Sequence, residues 1–178
     1  MIEELLQQAI AANAELVESD NTPSPANQLT QHVPTLLPDF YRPLSPMLRA
    51  RFAAFGAWRE ATHANWLSFE QMQALWPEQP RDEEMEQIRK NIQVVAENWA
   101  NDAVALFKPE RVSVFAAARE GNERLYLVWF DCIEEPEIWA YDTSGEAHYQ
   151  NLATYLQAYI DDDLAAYSKH WILGNSQE

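Results

Sequence analysis

The residues with the most chemical potential fall in one stretch, Tyr126 to Asp142, which reads YLVWFDCIEEPEIWAYD. Glu134, Glu135 and Glu137 could serve as paired carboxylates in acid–base chemistry, and Cys132 could act as a nucleophile if folding brought a histidine beside it. The neighbours of Cys132 are Asp131, Glu134 and Glu135, and negative charge raises a thiol pKa. Cys132 therefore reads as a buried or half-buried residue at a strand end. Asp161, Asp162 and Asp163 have the charge for a hard cation, but lack the alternating ligands and bend glycine of an EF-hand loop. They read as a solvated face just beyond a helix. Asp82, Glu83, Glu84 and Glu86 crowd the first turn of a predicted helix, where its dipole favours carboxylates without any metal. Tyr126, Trp129, Trp139 and Tyr141 could form a ligand platform, although aromatics on hairpin strands more often fill a core.

Other chemistries lack their motifs. The four glycines, Gly56, Gly121, Gly145 and Gly174, fit neither a dinucleotide fingerprint nor a phosphate loop. His32, His63, His148 and His170 are too scattered for a paired-histidine motif, there is no GxSxG elbow, and one cysteine cannot build a thiolate zinc site. The expectation is a chain with no catalytic residues, cofactor or metal.

These residues must be positioned by the elements around them. RVSVFAAA (111 to 118), ERLYLVWFD (123 to 131) and EIWAYD (137 to 142) are rich in strand-forming residues. The links between them are too short for a crossover helix, so an antiparallel meander is expected, with EEPE as a turn. His148 and Tyr149 add a short fourth strand. Asn151 is the expected cap of a closing helix carrying Leu152, Tyr155, Leu156, Tyr159 and Ile160. Upstream, Met85, Ile88, Ile92, Val95, Trp99, Ala103 and Leu106 recur at helical spacing across 83 to 107. Ser68 and Gln71 resemble a capping box for FEQMQALW. MLRARFAAFG predicts a short helix with Met47, Leu48, Phe52 and Phe55 inward, its arginines in water and Gly56 as its C-cap.

Residues 2 to 18 read as an amphipathic helix, followed by the linker-like SDNTPSPANQ and the prolines 34, 38, 43 and 46, which keep the next stretch broken. The expected organisation is a helical arm and linker over 1–25 and one domain over 26–178. The order of helices, antiparallel strands and a final helix predicts an α+β fold with a central antiparallel sheet of three to five strands flanked by helices.

At 178 residues, with 47% apolar and 12% aromatic residues, the chain can bury one sizeable core. Twenty-eight acids against 12 bases give a net charge of −16, which repels nucleic acid and anionic membranes. The excess is concentrated late: from Asp131 onward Lys169 is the one base, whereas Arg42, Arg49, Arg51 and Arg59 cluster in the first half. The charge serves solubility, or steers a basic protein partner. A lone cysteine, no apolar run of spanning length and an acidic start where a signal peptide needs bases fit a cytoplasmic location.

The run of RVSVFAAA, ERLYLVWFD, EPEIWAYDTSGE and YQNLATYLQAYI resembles the SUKH superfamily, which includes yeast Smi/Knr-type cell-wall regulators and many bacterial immunity proteins. Asn151, Leu152, Tyr155 and Leu156 stand where its closing helix segment falls, and Leu37-Pro38-Asp39-Phe40 and Phe55-Gly56 are similar to its upstream landmarks. The resemblance covers roughly residues 34 to 160. It implies an α+β fold and a binding role, typically neutralising a nuclease or deaminase toxin domain by direct contact. Nuclease domains are basic because they meet phosphates, so this agrees with the charge. The expected partner surface is acidic and exposed: Glu134, Glu135, Glu137, Asp161, Asp162 and Asp163, with Trp139 as an aromatic anchor. A regulatory or scaffold module is the alternative. Less favoured is a small-ligand site on the sheet aromatics.

Overall fold

A computed structural model describes residues 1–16, 21–26, 31–62, 64–98, 108–130, 134–142 and 145–163. Cys132, His63, His170 and Lys169 lie outside these residues, as does the stretch from Trp99 to Leu106 expected to extend the long helix. The fold is α+β, as the order of patterns predicts.

Its centre is a five-stranded sheet in the order β3 (Asn65–Trp66), β4 (Val112–Ala117), β5 (Arg124–Val128), β6 (Glu137–Asp142) and β7 (Gly145–Tyr149), with every neighbouring pair antiparallel. Strands β4 and β5 and the first four residues of β6 are buried throughout, and that explains why they are mostly apolar and aromatic, with Ser113, Arg124 and Glu137 as buried polar exceptions. Two short strands outside the predicted set, β1 (His32–Pro34) and β2 (Tyr41–Pro43), pair as a hairpin. Their prolines each stand at the end of a three-residue strand, where a missing N–H costs little.

Helix α1 (Ile2–Leu16) is docked, not extended: Leu6 and Ala9 are fully buried, and the helix packs on α2 (Pro46–Ala54) and α5 (Leu152–Ile160). Asn13, itself buried, donates from Nδ2 to the carbonyls of Glu60 (2.9 Å) and Ala61 (3.0 Å). The described part of the linker, 21–26, is also tied down, with Ser24 N bonded to Ala57 O and Gly56 N to Ser24 O.

Two details of the α2 region differ from expectation. Helix α2 ends at Ala54 with Phe55 extended as its C-cap, so Gly56 is not the cap. Gly56 is needed for close approach, since a Cβ there would lie 2.8 Å from Ser24 Oγ and 2.9 Å from Pro25 O. Arg49 is exposed, but Arg51 is fully buried. Its Nη1 and Nη2 bond the carbonyls of Phe55 (2.9 Å) and Leu67 (3.0 Å), and its guanidinium lies 4.3 Å from the Phe52 ring centroid and 4.7 Å from that of Phe55. Aromatic faces and two carbonyls take the place of a counter-ion. Burial lowers its pKa to about 9.

The N-capping signals are as read. Ser68 and Gln71 form a capping box on α3 (Phe69–Ala74), and Asn151 caps α5, with Thr154 completing a second box. Helix α4 (Glu83–Asn98) buries Met85, Ile88 and Ile92, and Asp82 Oδ1 accepts from Met85 N at its start.

Candidate functional site

The acidic segment before β6 does not present its carboxylates together. Glu134 is exposed. Glu135 is half-buried and turns inward, where its Oε1 accepts from Met47 N (2.9 Å) in the first turn of α2. It thereby satisfies a donor that the helix leaves open. Glu137, expected at the surface within a turn, is the first residue of β6 and is fully buried.

Glu137 can be buried because Trp139, two residues on and on the same face of β6, donates its indole N–H to Oε2 at 2.7 Å. Among the described residues Oε1 has no hydrogen-bond partner. Loss of hydration therefore outweighs the one bond and pushes the carboxyl pKa up to about 7. Trp139 is buried too, at 5% exposure, so it is not the surface anchor expected of it. Its ring stacks on His148 with centroids 3.8 Å apart and planes 14° off parallel. The pair is set by register, since Trp139 and His148 are direct cross-strand partners. His148 Nε2 lies 2.9 Å from Glu146 Oε1 but off the angle for a hydrogen bond. On the same face Tyr126 and Tyr141 meet edge to face at 5.6 Å, and burial raises the pKa of both phenols. These aromatics are chiefly core, and the strand pattern signals it.

Asp161, Asp162 and Asp163 are exposed beyond α5, as read. Topology separates them from Glu134. The start of β6 pairs with the end of β7, Ile138 with Tyr149, and α5 begins three residues later. Helix α5 then runs to the Asp triplet, roughly 14 Å away at about 1.5 Å per residue. At that end Tyr159 Oη lies 3.2 Å from Asn13 Nδ2, which also bonds the Glu60 carbonyl. The exposed residues Glu15 and Glu60 thus share the Asp triplet's end of the molecule. No helical period or motif marks that grouping, because it depends on α1 docking against α5.

Several bases are engaged elsewhere. Arg81, Arg89 and Lys90 all approach Glu86, at 2.9, 3.0 and 3.8 Å, while Arg59 pairs with Glu84 and Arg119 with Glu83. The acidic start of α4 is therefore locally compensated. Among the described residues no base pairs with Asp161, Asp162 or Asp163, and no group of three or more His, Cys, Asp or Glu is placed to hold a metal ion.

No family model, curated protein or solved structure matches this chain.

Proposed function

We propose that this chain is a cytoplasmic immunity-type binding protein that neutralises a basic, nuclease-like toxin domain by direct contact and performs no catalysis of its own. The observation that carries the reading is the acidic triplet: Asp161, Asp162 and Asp163 are exposed beyond α5, with no base paired to them among the described residues, on a chain of net charge −16. Like-signed carboxylates in a row on so acidic a chain produce a field that draws in a basic protein and repels nucleic acid. Glu134 adds charge at the opposite end of α5, and Glu135 and Glu137 support the fold beneath it. The contact residues are accordingly Asp161, Asp162, Asp163 and Glu134, while Trp139 holds the sheet.

The experiment is capture from the native cell at low salt, followed by assay of the captured basic domain with and without added protein. Stoichiometric inhibition of that domain's activity supports the reading. A captured partner with an acidic or neutral binding domain, unaffected in activity, would overturn the toxin reading in favour of a scaffold role.

A further inference from the structure

The two edges of the central sheet are not equivalent. On one side β3 is two residues long, and its outer edge is already taken by Trp58, whose N–H and C=O exchange bonds with Trp66 at 3.0 and 2.8 Å. On the other side β7 runs for five residues with no strand beyond it among the described residues. Its first four residues are exposed or half-exposed.

The register shows which backbone groups are open. Asp142 pairs with Gly145 across only two intervening residues, so that pair can bond only with itself. Bonded pairs then alternate, with Ala140 and Ala147 next and Ile138 and Tyr149 after them. The N–H and C=O groups of Glu146 and His148 therefore point away from β6, along the open edge. No other described backbone group bonds them.

Proteins usually protect such an edge with proline, a bulge, lysine or a very short strand. The β7 sequence GEAHY has no proline or lysine, and its pairing with β6 is unbroken. What it has is negative charge. The chain from Leu125 to Asp163 contains no lysine or arginine, and Glu146 stands exposed on the edge itself. A second copy of this chain adding to β7 would set like charges together, which disfavours self-pairing. An extended segment rich in lysine or arginine meets the opposite situation.

We infer that β7 is a docking strand, and that it takes an extended basic segment of the partner protein as a sixth strand of the sheet. This rests on the acidic-binding reading above and specifies how the contact is made. Main-chain bonds to Glu146 and His148 give the segment its register, and the exposed Glu146 carboxylate, on a stretch without lysine or arginine, favours a basic one.

The test uses the full chain and a capped peptide of alternating lysine and valine, with a lysine–glycine peptide of equal charge as control. The readouts are affinity and hydrogen exchange at the Glu146 and His148 amides. The lysine–valine peptide is expected to bind more tightly and to slow exchange at both amides at least about tenfold, one added bond's protection. Glu146→Pro removes one outward donor without touching the β6 ladder, and should abolish protection at His148. Glu146→Gln should keep that protection and weaken binding by roughly two- to fivefold, the effect of one exposed charge pair. Binding of both peptides equally, with no protection at β7, would overturn the docking strand and leave the acidic reading standing. No binding of either peptide at low salt would overturn both. Protection that grows with protein concentration without peptide would show a second copy on the edge, and would also overturn the inference.

Discussion

Glu137 shows how a carboxylate in a charged-looking segment becomes an interior group. Its neighbours in sequence, Glu134 and Glu135, suggest a solvated turn, but Trp139 supplies an indole donor two residues away and strand alternation puts both on one face. The raised pKa has a stability consequence. The folded chain holds the Glu137 proton more tightly than the unfolded chain, so this contribution is full below pH 4.5 and lost as pH rises through about 7. Between pH 5 and 8.5 the loss is up to about 3 kcal/mol. Glu137→Gln keeps an acceptor for Trp139 and removes the charge, so urea unfolding of the variant should show a correspondingly smaller decline over that range. An unchanged decline would place the titration elsewhere. Arg51 is the cationic counterpart. Arg51→Met keeps the volume but leaves the carbonyls of Phe55 and Leu67 without donors, and should cost about 2–4 kcal/mol by chemical denaturation. A gain in stability would mean that shedding a buried charge outweighs those two bonds.

At the scale of elements, long patterned segments were legible and short ones were not. Strands β4, β5 and β6 announce themselves through runs of valine, aromatic and leucine residues, and the caps at Ser68 and Asn151 lie where side chains compete for the helix's open donors. Strands β1, β2 and β3 span only two or three residues, too few for alternation to register, and prolines disguise two of them. The inward turn of Arg51 was equally hidden, because only the tertiary cage of Phe52, Phe55, Trp66 and Phe115 makes it tolerable. The acidic end was half legible: the Asp triplet is plain in the sequence, whereas Glu15 and Glu60 join it only through the docking of α1. That docking predicts that Leu6→Ala, which empties a fully buried site between helices, lowers global stability by roughly 2–5 kcal/mol, seen as one cooperative transition. Fraying of the first helix alone, with the sheet's transition unmoved, would show that α1 is an appendage.

At the scale of the whole molecule, charge is divided by location. The first half keeps most of the arginines, and Arg81, Arg89 and Arg119 pair with the acidic start of α4, while the side formed by β7 and α5 comes from a stretch, residues 125–163, without lysine or arginine. The sheet core gives that side rigidity, and the acids give it sign. A surface of this kind speeds encounter with a basic partner and weakens as salt screens it. The most direct measurement is the affinity of the captured partner for the chain across ionic strength, repeated with Asp161, Asp162 and Asp163 all changed to Asn. The account predicts that affinity falls at least about tenfold from low to high salt, and that the triple variant both binds more weakly and loses much of that dependence. A complex whose affinity is the same at both salt concentrations and in the triple variant would contradict it.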